Sequence, residues 1–399
     1  MNPAFHTVIT ASDVERRDLF LGAATRLGTA VQNVEKDFWV CWTLDALFNG
    51  LEVGGPRLLF KGGTSLSKAF SLISRFSEDI DITVFRDDLG QGAEVADLNA
   101  LSGKKRRARL EAIRDACQAY IAGPLTARFT HLAASVSPED RFRLEPDPED
   151  KDGQSLLFWY PAVTATTGDY IRSAVKIEAG AKSALDPHIA ASVTPYVTQD
   201  LPDLDLTVTN VITVKPERTF WDKVMILHGL RQWHDRRGEL RHGGQRVSRH
   251  YYDVHQLMHA PLAAVWQTDH ALAIDCARHA RLFFGSADLG LDSAVPGTFT
   301  LTPSTAMRDA LERDYEAMTG MVFGDVPRFD DVRDSAERFE QIVNGAGMSA
   351  LTTKGTQRPC ATTSVNAAVA QLIPGKHHDY FNHHHLMIDQ RHGRRFGDE

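Results

Sequence analysis

Apolar residues recur at three- and four-residue intervals from Ser12 to about Gly50: Phe20, Leu21, Ala24, Leu27 and Val31, then the run EKDFWVCWTLDALF. That spacing predicts helices, and Gly50 with Gly54-Gly55-Pro56 ends them. A short apolar run, Leu58-Leu59-Phe60, meets Lys61-Gly62-Gly63-Thr64, after which Leu66, Ala69, Phe70 and Ile73 predict a helix. In SEDIDITVF the period shortens to two. Ile80, Ile82 and Val84 face one way and Asp79, Asp81 and Thr83 the other, because successive strand side chains point to opposite faces.

Residues 103–121 predict a helix with Leu110, Ile113, Cys117 and Ile121 on its apolar side and basic first turns. The stretch 136–153, rich in Pro, Asp and Glu, reads as loop. Three β-like runs follow at 155–163, 173–181 and 206–214, which makes a mixed sheet of about five strands. Pro216 stands at the favoured first position of the next helix, PERTFWDKVMILHGLRQW, and the pattern stays mainly helical to about residue 345. The expected class is α/β (α+β): a helical region over 1–50, a sheet-bearing core over 51–214 and a helical domain over 215–345. Residues 346–399 read as a weakly ordered tail, including His383-His384-His385.

The chain has 399 residues, with 44 Lys and Arg against 52 Asp and Glu, a net charge of -8. That balance disfavours bulk attraction to nucleic acid, so any such contact must be a local basic patch. Neither an eighteen-residue apolar stretch nor a signal pattern is visible, and a cytoplasmic protein without membrane contact is expected. Cys41, Cys117, Cys276 and Cys360 are too scattered for a disulfide framework or a C-x-x-C site. His228, His234, His242, His250, His255 and His259 lack H-E-x-x-H spacing, and neither a G-x-S-x-G elbow nor a P-loop is present.

The segment KGGTSLSKAFSLISRFSEDIDITV joins a glycine turn to a paired-carboxylate strand. Without Cβ atoms, Gly62 and Gly63 let backbone N–H groups approach an anion such as a triphosphate, and Thr64 and Ser65 offer hydroxyl donors. Asp79 and Asp81, at i and i+2 on one strand face, suit Mg²⁺, a hard cation that shares oxygen ligands with substrate phosphates. The intervening Arg75 can pair with an acid or a phosphate. The basic stretch Lys104, Lys105, Arg106, Arg107 and Arg109 could guide an RNA backbone, with further charge from Lys182, Arg231, Arg236, Arg237, Arg241 and Arg246. Trp233 is a candidate for base stacking.

The GGT…LSKAF…RFSEDIDI block resembles the AbiEii-type nucleotidyltransferase toxins, a branch of the polymerase-β-like nucleotidyltransferases. PERTFWDKVMILH is similar to that family's lysine-bearing helix, and SRHYYDVHQL to its R-x-x-x-D-x-x-x-L helix, so the likeness spans roughly residues 30 to 260. The resemblance implies a minimal nucleotidyltransferase core, with Gly62 and Gly63 on the triphosphate and Asp79 and Asp81 on two Mg²⁺ ions. It maps Lys223 onto the lysine that contacts nucleotide phosphates and Asp253 onto the acid of the last motif, with Arg249 one helical turn earlier and within its reach. The third metal-side carboxylate should come from a neighbouring strand; Glu178 is the candidate and Asp186 its competitor. Lys176 lies on the same face as Glu178.

The resemblance further implies a metal-dependent toxin of a bacterial toxin–antitoxin or phage-defence system. Such an enzyme transfers a nucleotide from an NTP to RNA, with tRNA as acceptor and an AbiEi-type antitoxin as partner. Two other classes fit the same residues: an NTP-dependent phosphotransferase or nucleotidylating enzyme acting on protein, and a non-catalytic nucleotide- or RNA-binding module.

Overall fold

In the computed structural model, which describes residues 1–77, 79–164, 172–244 and 246–352 (without the side chains of 242 and 346–352), the amino-terminal segment is helical throughout. Helix α1 (Ala4–Ile9) precedes α2 (Asp13–Leu27), whose start is fixed by a reciprocal pair: Ser12 accepts from the Glu15 N–H and Glu15 accepts from the Ser12 N–H. Gly28 closes α2 at φ +65, and α3 (Val31–Asn49) follows.

Strand β1 (Leu58–Lys61) runs into the short helix α4 (Gly62–Lys68) and then β2 (Asp79–Val84). The helix stops at Lys68 and does not reach Ile73 as the spacing predicts. Leu72 N–H turns back to the Leu66 carbonyl, and Ser71 takes φ 53, a backbone state that no helix continues. Helices α5 (Val95–Ala100), α6 (Gly103–Tyr120) and α7 (Thr126–Ala134) lead to β3 (Arg143–Pro146), β4 (Ser155–Trp159), β5 (Ala174–Glu178), β6 (His188–Val193) and β7 (Val208–Val214). The remaining helices are α8 (Pro216–Arg237), α9 (Ser248–Met258), α10 (Ala263–Thr268), α11 (His270–Phe284), α12 (Thr305–Met318) and α13 (Phe329–Thr352).

Among the described residues the sheet has seven strands rather than about five, in the order β3-β4-β5-β2-β1-β7-β6. Part of the supposed loop 136–153 is the edge strand β3, and β6 forms the other edge. Pairing is parallel between β2 and β5 and between β1 and β7, and antiparallel elsewhere, so the sheet is mixed. One face of β2, Ile80, Ile82 and Val84, is buried in a core with α3 and β4, where Trp39 and Trp42 pack on Phe158. A second apolar core, built from α8, α9, α11, α12 and α13 around Trp221, Tyr252 and Phe339, takes in Leu66 of α4 and Ile73.

Helix α13 continues past residue 345 to Thr352, and the expected tail from there on, with Cys360 and His383-His384-His385, lies outside the described residues. Cys41, Cys117 and Cys276 are free and buried. Among the described residues, no helix is long and apolar enough to cross a membrane.

Candidate active site

The two central strands place the acids. Asp81 stands opposite Lys61 on β1 and opposite Glu178 on β5, while Asp79 stands opposite Lys176. Laterally paired residues share a face, so Asp79, Asp81, Glu178, Lys61 and Lys176 occupy the face turned away from the α3 core. Glu178 is therefore on the strand next to Asp81. Asp186 is not: it precedes β6, three strands away from β2, and pairs with His188.

The glycine turn sits directly against these acids. Gly62 has φ +78, and a Cβ there would lie 2.0 Å from Oδ2 of Asp81. A Cβ on Gly63 would lie 2.5 Å from Nη2 of Arg75. Both positions exclude a side chain, the first by conformation as well as space. The hydroxyls of Thr64 and Ser65 are turned into the fold and do not face outward as donors. Thr64 Oγ1 donates to the Asp79 carbonyl and lies 2.8 Å from Ser77 Oγ, and Ser65 Oγ donates to the Gly62 carbonyl at 2.8 Å. These bonds lock the turn to the start of β2.

Behind Gly63 lies a buried ion cluster. Arg75 Nε and Nη2 donate to the two carboxylate oxygens of Asp253 at 2.7 and 2.8 Å, and Lys223 Nζ is 2.7 Å from Oδ2. Asp253 is fully buried; burial alone would raise its pKa, but Arg75 and Lys223 outweigh that and hold it well below the ordinary carboxylate range. The Lys223 pKa is lowered as well: burial, and the neighbouring Arg75 and Arg249, push it down against the pull of Asp253. The half-buried His250 has its pKa pushed well below the ordinary histidine value by desolvation and by the charges of Lys223 and Arg249.

The expected Arg249–Asp253 contact is replaced by Arg75–Asp253, a pairing across 178 residues. The loop bearing Arg75 is held in turn by the segment after α12: Phe76 N–H donates to the Met321 carbonyl at 2.6 Å and Phe323 N–H to the Ser74 carbonyl at 2.7 Å. No local pattern announces that strap.

A second pairing that sequence reasoning missed joins α4 to α3. Lys68 Nζ is 2.6 Å from Asp37 Oδ1, both side chains are buried, and the ammonium lies 3.8 Å from the Tyr196 ring centroid. The motif EKDFW carries the acid, but its partner lies beyond the glycine turn and was not legible.

The all-oxygen donor set of Asp79, Asp81 and Glu178 on one face suits a hard divalent cation. Lysines approach Asp81 and Glu178: Lys61 Nζ is 3.5 Å from Asp81, and Lys176 Nζ is 2.6 Å from Glu178 and 3.0 Å from the buried Asp147. Among the described residues, no three His, Cys, Asp or Glu side chains are gathered at ligating distance.

The family model for the AbiEii nucleotidyl transferase toxins of type IV toxin–antitoxin systems matches residues 45–344. The chain belongs to the AbiEii nucleotidyltransferase toxin family. It is accordingly a nucleotidyltransferase toxin of a type IV system, which pairs such a toxin with a cognate antitoxin. Among solved structures, this AbiEii-family chain is similar to MenT4, a nucleotidyltransferase toxin from Mycobacterium tuberculosis. The identity is 16%, over 84% of this chain and 98% of that chain, with a TM-score of 0.39. At that level the likeness carries no argument about individual residues. No curated protein matches the chain.

Other candidates from the sequence fall outside the acid face. Arg109 donates to Gln91 and Gly92, Arg231 pairs with Asp235, Arg237 with Asp288, and Arg236 reaches the Ala287 carbonyl. Trp233 is half-buried against the helical core, with Arg237 and Arg241 over its ring. Lys104, Lys105, Arg106 and Arg107 on α6 make no ion pair among the described residues.

Proposed function

We propose that this toxin transfers a nucleotide from an NTP to a hydroxyl of RNA, with tRNA as the acceptor, in a Mg²⁺-dependent reaction. The observation that carries the reading is the close approach of the glycine turn to the paired-acid strand: a Cβ on Gly62 would overlap the Asp81 carboxylate. A triphosphate on the turn would present its α-phosphorus to the strand acids.

Asp79, Asp81 and Glu178 would hold Mg²⁺, which supplies charge neutralisation at the attacking and leaving oxygens. The acceptor oxygen forms a bond to the α-phosphorus, the α–β phosphoanhydride bond breaks, pyrophosphate leaves, and the hydroxyl proton passes to solvent. Gly62 and Gly63 orient the triphosphate through backbone N–H groups, and Lys223 offers its remaining ammonium hydrogens to the phosphates. Asp253 orients Lys223 and Arg75 rather than touching the nucleotide, since its carboxylate oxygens are already occupied by these two. The α6 cations Lys104, Lys105, Arg106 and Arg107 attract the RNA backbone without reading sequence. An AbiEi-type antitoxin is the proposed partner of the system, and phage defence one setting for it.

The test is incubation with Mg²⁺, each labelled NTP in turn and total bacterial tRNA, followed by separation of RNA from protein. Label on RNA supports the reading; label on the protein alone would replace it with protein nucleotidylation.

A further inference from the structure

Arg249 lies in the first turn of α9, four residues before Asp253 and on the same helical face. By that spacing the two should pair, yet Asp253 is taken by Arg75 and Lys223. Arg249 forms no hydrogen bond or ion pair among the described residues, although it is only partly exposed. The start of α9 does not need it either, because Asp314 of α12 accepts the N–H groups of Arg246 and Ser248, each at 2.7 Å.

Arg75 and Lys223 thus share one carboxylate, and Arg249 adds a third cation one helical turn before it on α9. Arg249 is close enough to Lys223 and His250 to push both pKa values down. His250 is neutral and adds nothing to the balance. Positive charge held in a partly dry site is costly unless an anion offsets it. Arg75 is consumed in a two-point pair and Lys223 in a one-point pair, so Arg249 is the cation of the three with its whole fork of donors available. Arg75, whose Nη2 would lie 2.5 Å from a Cβ on Gly63, ties this cluster to the glycine turn.

We infer that Arg249 is a nucleotide-binding residue, its guanidinium taking a non-bridging oxygen pair on the triphosphate tail. The inference rests on the nucleotidyl-transfer reading above and adds a residue that reading does not use. The chemistry recognised is a phosphate oxyanion, which either the nucleotide's triphosphate or the RNA backbone supplies; we commit to the triphosphate. A planar fork suits two oxygens of one phosphate, as a lysine ammonium would not.

The test is calorimetric binding, with Mg²⁺, of four non-hydrolysable NTP analogues, inorganic tripolyphosphate and total tRNA to the wild type, Arg249→Gln and Arg249→Lys. Thermal melts verify that the variants are folded. Arg249→Gln should lose about ten- to a hundredfold in affinity for tripolyphosphate and for the preferred analogue, the range expected for a charge-assisted bond, and keep its tRNA affinity. Arg249→Lys should recover part of the loss. If the wild type binds an analogue and Arg249→Gln binds it equally, the inference is overturned while the transfer reading stands. A loss confined to tRNA also overturns it, by assigning Arg249 to the acceptor. If the wild type binds no analogue and no tripolyphosphate, the inference and the transfer reading fall together.

Discussion

Asp253 receives two donors of Arg75, Nε and Nη2, at 2.7 and 2.8 Å, and the Lys223 ammonium at 2.7 Å, with all three side chains buried. Such clusters are weak evidence of net stabilisation, because desolvating the charges offsets their attraction. Their effect is geometric: this one fixes Arg75 against Gly63 and aims Lys223. Removing one member is costly, since the others remain buried and unpaired. Asp253→Asn should therefore lower unfolding free energy by about 3–5 kcal/mol, read from urea denaturation.

The same carboxylate sets a pH dependence. Its folded-state pKa lies below the ordinary 3.8, so its contribution is complete above that value and is lost as pH falls through the folded-state pKa. The stability gap between wild type and Asp253→Asn should be constant near neutrality and shrink below about pH 4. A gap that widens on acidification would show that Asp253 is protonated in the native state.

Gly62→Ala places a methyl group in overlap with Asp81 Oδ2, at a backbone φ that alanine disfavours. Displacing the strand acid or the turn by about 1 Å should cost roughly a hundredfold in turnover. Circular dichroism should show the fold retained.

Lys68 and Asp37 form a second buried pair, joining the far end of α4 to α3. Asp37→Asn strands the ammonium under Tyr196 and should destabilise by about 3–5 kcal/mol, whereas Asp37→Leu combined with Lys68→Met should recover most of that loss. Urea denaturation of the three variants separates the buried-charge effect from simple loss of packing.

Substituting Lys104, Lys105 and Arg107 together by Ser should weaken RNA binding and flatten its dependence on salt by up to about one unit of slope per phosphate contact removed. The KM for NTP should not change. A shift in NTP affinity without one in RNA affinity would move these cations away from acceptor binding.

The strand with both acids was legible because alternation fixes side-chain faces, and the position of Glu178 beside Asp81 matches the neighbouring-strand acid that the family resemblance implies. The helix PERTFWDK was marked by Pro216 at its start. What escaped were features with no local signature. Strand β3 is a polar edge, RLEP, inside a Pro- and Asp-rich stretch, and β6, HIAASV, has only weak alternation. Arg249 was the natural partner for Asp253 by helical spacing, but tertiary packing brings in Arg75 from 178 residues away. Thr64 and Ser65 have suitable donors for a phosphate, yet tertiary packing directs them to the carbonyls of Asp79 and Gly62.

The proposed mechanism stands or falls on Asp79 and Asp81 as the acids of nucleotidyl transfer to RNA. The most direct comparison sets wild type against Asp81→Ala, using Mg²⁺, labelled NTP and total tRNA, and reads label on the RNA. The mechanism predicts RNA labelling by the wild type and loss of at least about a thousandfold in the variant, with its melting temperature little changed. Equal labelling by a folded Asp81→Ala protein would contradict it.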